Sequence, residues 1–177
     1  MANYNPTPFP ILTTERLTLR QLSIEDKHPI FALRSDTEIN KYLNREPSKT
    51  IEDAIRFIQL VNATTANNNS IYWAINLTRT KTFVGTICLF DFSNKNNSCE
   101  IGYELLTQFQ GQGIMQEALL TVIDFVFQTL KLKKIVAFTH TDNMNSTHLL
   151  SKCLFVKSLE TDPENPNLSI YTLTKSH

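Results

Sequence analysis

The sequence predicts an α+β chain with a mixed, mostly antiparallel sheet of about seven strands and about four helices, on three observations. Residues 71–106 hold three apolar or alternating runs, Ile71 to Leu77, Phe83 to Phe92 and Glu100 to Leu106, separated by the short polar turns of an antiparallel meander. From Met115 the apolar residues recur at steps of three and four (Ala118, Leu119, Val122, Val126), the period of an amphipathic helix. The resulting order, one strand, two helices, three strands, helix, strand, helix, two strands, lacks the regular βαβ alternation of an all-parallel sheet.

Each element has a local reason. Residues 1–10, with three prolines, read as an irregular arm. Leu17 and Leu19 alternate with polar neighbours in Arg16 to Leu22, so this is the first strand. Ser23 and Asp26 make an approximate capping box for a helix reaching about Arg34, and Thr37 to Leu43 allows another helical turn. Thr50 with Asp53 repeats the capping signal ahead of Ala54, Ile55, Phe57, Ile58 and Val61, an apolar face at helical spacing. After the polar loop 64–70 and the meander, a helix spans about Gly111 to Leu130, and Lys131, Lys133 and Lys134 complement its C-terminal dipole. Ile135 to Thr139 is a β-branched strand, Asn145 to Cys153 a helix, and Phe155 to Leu159 and Ile170 to Leu173 the last strands.

Composition narrows the function. Lys plus Arg and Asp plus Glu both number 17, so no global field draws in nucleic acid or an anionic membrane. No run approaches the ~20 consecutive apolar residues of a membrane helix, and the N-terminus lacks the basic start of a signal peptide. Cys88, Cys99 and Cys153 are odd in number and lack CxxC spacing, against a disulfide scaffold or a metal site. A single domain over residues 1–177, in the cytoplasm, is the expectation. The four glycines, against about a dozen expected at ~7 %, all fall between Gly85 and Gly113.

The segment 100–118, EIGYELLTQFQGQGIMQEA, carries the chemistry. A strand runs through a glycine-containing loop straight into a helix, which leaves backbone N–H groups free at the helix N-terminus for an anion. Gly111 and Gly113 keep side chains away from that anion, and residues 107–116 contain no Asp or Glu. No Lys follows Gly113, which sets aside the Walker loop, and the third glycine of a dinucleotide fingerprint is missing.

Gln108-x-x-Gly111-x-Gly113 resembles the pyrophosphate-binding signature of the GNAT acetyltransferase superfamily. The match extends over nearly the whole chain and is similar to the RimJ/RimL-type branch: Leu12 to Arg20 (LTTERLTLR), Phe83 to Ile87 (FVGTI), Glu100-Ile101-Gly102-Tyr103-x-Leu105, and Asp142 to Ser146 followed by Lys152 and Phe155. The resemblance implies a GNAT-like sheet splayed between its fourth and fifth strands, with acetyl-CoA as co-substrate and no metal. The pantetheine arm would lie along Glu104 to Leu106. The pyrophosphate would lie against Gln108 and the amides of Gln110, Gly111, Gln112, Gly113, Ile114 and Met115. Asn143 and Lys152 would contact the same ligand from the late loop and helix.

Acetyl transfer from a thioester needs a neutral amine, a polarised carbonyl and a proton donor for the leaving thiolate. A backbone N–H at Leu105 or Leu106 can serve the carbonyl. Ser146 matches the hydroxyl that meets the thiolate in this branch, although it also suits a helix cap. Glu100 and Glu104, four residues apart on one face of a strand, are the candidate bases or ammonium anchors. Tyr103 could act as an acid in another register, but between Ile101 and Leu105 it reads as core; His140 and His148 read as structural. Where the family places Gly before the late aromatic, this chain has Leu154, so the helix end is expected to differ there.

Three functions compete. The first is acetylation of a protein N-terminal α-amine, as in RimJ/RimL-type members. The second is acetylation of a small amine (an amino acid, polyamine or aminoglycoside), for which Glu38, Glu46, Glu52 and Asp53 could line an acidic cleft. The third is a non-catalytic acetyl-CoA-binding module. A monomer and a homodimer are both compatible with the sequence, and neither nucleic acid nor membrane is an expected partner.

Overall fold

Alternation dictates which side chains share a face, and in the computed structural model that rule builds two cores on one sheet. Residues 8–175 are described, so the arm's residues 1–7 lie outside the described residues. The rest of the arm is anchored: the Pro10 carbonyl accepts Trp73 Nε1–H at 2.7 Å, and Phe9 packs edge-on against the same indole.

Eight strands form the sheet: β1 (Leu12–Thr13), β2 (Leu17–Gln21), β3 (Ser70–Leu77), β4 (Phe83–Ser93), β5 (Ser98–Leu105), β6 (Lys134–His140), β7 (Val156–Thr161) and β8 (Leu168–Thr174). Their spatial order is β1-β2-β3-β4-β5-β6-β8-β7. The strand beyond the seven expected is the two-residue β1, which pairs Leu12 with Leu19 and Thr13 with Thr18. The helices are α1 (Lys27–Ser35), α2 (Thr37–Asn40), α3 (Ile51–Ala66), α4 (Ile114–Asp124) and α5 (Met144–Lys152). The short α2 is the extra helix; its N-cap Asp36 accepts from the Glu38 and Ile39 amides.

In the central strands Ile71, Trp73, Ile75, Ile87, Leu89 and Ile101 point to one face and pack with Ala118, Leu119 and Val122 of α4 and Leu150 of α5. Ala74 points to the other, packing with Ile30 and Leu33 of α1 and Ala54, Ile58 and Val61 of α3. Period-2 strands between period-3.6 helices thus bury apolar surface on both sides.

The caps behave as their sequences require. Thr50 accepts the Asp53 amide at 3.2 Å while Asp53 accepts the Lys49 and Thr50 amides, starting α3. Asp26 accepts the Ser23 amide at 2.8 Å and is held by both Nη atoms of Arg20. Helix α4 begins at Ile114 rather than at Gly111, because Gly111 and Gly113 both take positive φ, +73° and +72°. Its last turn is a π-helix, Phe125–Thr129, which ends in Lys131 at φ +58°.

The end of α5 corrects the sequence expectation. Leu154 adopts the left-handed geometry itself, with φ +66°. Phe155 N–H bonds back to the Leu150 carbonyl at 3.0 Å and Leu154 N–H to Ser151 at 3.1 Å, the paired bonds of a Schellman ending. The helix closes as it would with glycine, and the leucine absorbs the strain.

Candidate active site

Strand pairing opens the site. All neighbouring strands are antiparallel except β5 and β6, which pair in parallel only at Ser98–Lys134, Cys99–Ile135 and Glu100–Val136. Beyond Glu100, β5 runs on to Leu105 bonded to β4, while β6 runs on to His140 bonded to β8. The two strands part, and their facing edges have no ladder between them. Leu106 N–H donates to the Val84 carbonyl at 2.9 Å. Antiparallel bonding alternates, so Glu104 and Gly102 also turn their backbone groups to β4. Tyr103 and Leu105 turn theirs into the gap. The Leu106 amide is therefore committed to β4, and of the two candidate amides only that of Leu105 faces the gap. The Leu106 side chain packs in the core beneath α1 and α3.

A cleft of about 800 Å³ occupies the gap, bounded by α2 and the chain after it, by the glycine loop, and by one side of α5 from Asn145 to Lys152. That volume suits a large ligand. Of the residues expected to contact the donor, Leu105, Gln110, Gly111, Gly113, Ile114, Met115, Asn143, Ser146 and Lys152 line it. Gln108 and Gln112 are not in the lining; the Gln112 side chain donates to the Gln108 carbonyl at 2.9 Å and stiffens the loop from behind. Gln110 Nε2 donates to the Leu105 carbonyl at 3.0 Å, tying the loop to the end of β5. A β-carbon on Gly111 would meet nothing within 4 Å, so positive φ rather than crowding makes glycine the residue there.

The two candidate carboxylates are not together. Glu104 lines the cleft and forms an ion pair with Arg45 at 2.5 Å. Glu100 sits on the last parallel rung, outside the lining, and four residues along a strand put it roughly 13 Å from Glu104. Burial, Asp91 and then Asp162 push the Glu100 carboxyl up to about 7. Behind Glu104, Arg34 stacks on Phe57 at 3.8 Å and is lowered by burial and by Arg45, with Glu104 opposing. Two guanidiniums thus attend one carboxylate.

Ser146 meets a partner that the sequence reading assigned to the core. Its Oγ lies 2.9 Å from the Tyr103 hydroxyl, and both residues line the cleft. The helix cap is Asn143, whose Oδ1 accepts the Ser146 amide at 3.1 Å, so the serine hydroxyl is not needed for capping. Burial pushes the Tyr103 hydroxyl up to about 12, against the Ser146 hydrogen bond, which keeps it protonated. His148 lines the cleft, while His140 stacks on Tyr42 with ring centroids 5.2 Å apart. No group of three or more His, Cys, Asp or Glu among the described residues could hold a metal ion. No helix among them is long and apolar enough to cross a membrane.

A splayed sheet and a glycine loop opening a helix make up the architecture that the sequence motifs imply, and the Tyr103–Ser146 hydroxyl pair is added to it by the structure. The family model for the acetyltransferase (GNAT) domain matches residues 16–156. The chain belongs to the GNAT acetyltransferase family. It is 38 % identical over 149 residues, 84 % of either chain, to an uncharacterized N-acetyltransferase, YoaA, of Bacillus subtilis (strain 168). The fold is shared with ribosomal-protein-S5-alanine acetyltransferase from Vibrio fischeri, at a TM-score of 0.78 and 19 % identity, covering 93 % of this chain and 96 % of that one. It is shared too with spermidine N-acetyltransferase from Vibrio cholerae in complex with CoA and spermine, at 0.78 and 22 %, covering 91 % and 96 %. As a GNAT member the protein is an acyltransferase, with acetyl-CoA as donor and an amine as acceptor.

Proposed function

We propose that this GNAT protein acetylates the α-amine of a protein or peptide N-terminus. The observation that carries the reading is the charge make-up of the cleft. Of Glu38, Glu46, Glu52 and Asp53, only Glu38 is in the lining. Asp53 caps α3 and pairs with Arg56. The other lining carboxylate, Glu104, already has Arg45, and Lys41 and Lys152 balance the two acids. Such a wall holds no deep negative well for a polycation. An α-amine, with an ordinary pKa near 7.7–8.0, is partly neutral at physiological pH, whereas a lysine-like amine near 10.4 needs a stronger base than the cleft offers.

In this reading the loop amides from Gln110 to Met115 hold the donor's pyrophosphate, and the Leu105 N–H polarises its thioester carbonyl. Glu104 orients the incoming amine through the oxygen that faces away from Arg45. The neutral amine attacks the carbonyl carbon directly; the carbon–sulfur bond breaks, and the amine proton leaves to water or to Glu104. Ser146 gives its proton to the departing sulfur and takes one from the Tyr103 hydroxyl, which water in the open cleft re-protonates, so the proton lost by the amine is balanced by the one gained by the thiol. No cysteine lines the cleft, which fits direct transfer rather than an acyl-enzyme.

Thiol release from acetyl-CoA, measured with peptides beginning Ser or Ala, with the same peptides Nα-acetylated, and with spermidine, tests the reading. Release is expected with the free peptides alone. Release with spermidine alone would overturn it in favour of a small-amine enzyme, and CoA binding without turnover on any acceptor would favour a binding module.

A further inference from the structure

Arg16, the residue immediately before β2, lies more than 90 residues from the glycine loop in sequence and touches it in space. Its Nη1 donates to the Gln112 carbonyl at 3.1 Å. Its backbone N–H and Nε donate to Glu117 Oε1 and Oε2 at 3.1 and 2.6 Å. Thr14 Oγ1–H donates to the same carboxylate. Nη2 has no acceptor among the described residues, and a β-carbon placed on Gly113 would lie 3.6 Å from it. The fourth nitrogen of this residue therefore stands against the N-terminal cap of α4.

Glu117 makes the arrangement meaningful. It is the only carboxylate in the first turn of α4, one turn below the amides that face the cleft. Burial alone would raise it, but the hydrogen bonds from Thr14 and Arg16 and the charge of Arg16 hold it below its ordinary value. An ionised carboxylate at that place would repel a phosphate bound at the helix end. Arg16 neutralises it and occupies the Gln112 carbonyl with Nη1, its guanidinium fork gripping the loop and the carboxylate while Nη2 stays beside the Gly113 cap.

We infer that Arg16 is the positioning residue of the phosphate loop: it sets the Gln112–Gly113 backbone and supplies the positive charge that lets the N-terminus of α4 hold the donor's pyrophosphate. This rests on the proposed placement of the pyrophosphate on residues 110–115, and it goes beyond that placement by adding a residue from just before a distant strand.

The test compares two acetyl donors, acetyl-CoA and S-acetyl-pantetheine, which carries the same thioester without phosphates. Arg16→Met is expected to raise the KM for acetyl-CoA and the Kd for CoA by about 10- to 100-fold, the size of a lost charged hydrogen-bond set. Its kcat, and its kcat/KM with S-acetyl-pantetheine, should stay within about twofold of the unaltered protein. Arg16→Lys should recover part of the affinity, since it returns the charge without the fork. Should Arg16→Met not fold, the same donor split is expected, smaller, in Arg16→Lys. Unchanged CoA affinity, or an equal loss with both donors, would overturn the proposal. Gly111→Asp, measured alongside, separates the two readings. If it weakens CoA binding and Arg16→Met does not, the loop reading stands and the Arg16 proposal fails. If neither weakens it, the loop is not the phosphate site and the reading beneath the proposal fails.

Discussion

Leu154 shows how a single side chain can disagree with its backbone. It ends α5 at φ +66°, and with 76 % of its surface exposed it returns almost no packing. Left-handed geometry costs a non-glycine residue about 1–2 kcal/mol, part of which glycine gives back through unfolded-chain entropy. Leu154→Gly should therefore stabilise the protein by about 1 kcal/mol in urea denaturation, and a loss of that size would contradict the assignment. Glu100 carries a different strain. Its carboxyl is raised to about 7 from the usual 4.5, chiefly by burial and then by Asp91. A raised acid favours the folded state fully below the unfolded pKa, and that contribution is lost as pH climbs through the folded one. Stability should accordingly fall between about pH 4.5 and 7, and Glu100→Gln should flatten the fall in thermal melts taken across that window. At the cleft, Ser146→Ala should lower kcat by roughly 10²-fold with the CoA Kd unchanged, the scale of one lost proton donor. Tyr103→Phe should lower kcat less, because Ser146 remains. Ser146 was named from its motif and Glu104 from its spacing, and both line the cleft, whereas the motif carboxylate Glu100 does not and the Tyr103–Ser146 pair was not legible. Its members are 43 residues apart, and Tyr103 alternates in phase with Ile101 and Leu105, so local pattern assigns it to the core.

The β4–β5 pair decides where the cleft begins. Gly85 is opposite Leu105, and a β-carbon there would sit 2.3 Å from the Glu104 carbonyl oxygen, a backbone atom with no freedom to swing aside. Gly85→Ala should separate the strands at the residue whose amide faces the gap. The expected cost is about 1–3 kcal/mol, as in other overpacked sites, together with weaker CoA binding by calorimetry. Full stability and affinity in that variant would show that the close approach is not required. Most elements were readable because each announces itself locally: alternation in β2 and β3, the apolar run of β4, the aromatic and branched residues of β5, the Thr50–Asp53 box before α3, the 3.6 period of α4. Helix α4 starts three residues later than its apolar pattern suggested, since Gly111 and Gly113 are used for loop dihedrals and not for helix. β1 was missed because two residues carry no period.

At the scale of the molecule, one sheet separates two cores, and it opens only where parallel pairing stops after three rungs. The strands on either side of the gap are each held by antiparallel neighbours, β4 for β5 and β8 for β6. The opening is thus set by the whole sheet and does not depend on any one side chain. Long-range contacts of this kind, like those Arg16 makes with the glycine loop, depend on strand order, which no local window of the sequence contains. The proposed function places the donor in this gap with its phosphates on the start of α4. Backbone amide hydrogen exchange with and without saturating CoA tests it most directly. Residues 110–115 and Leu105 should gain protection while the β7–β8 end of the sheet stays unchanged; protection confined to other segments, with residues 110–115 exchanging at the same rate, would contradict the account.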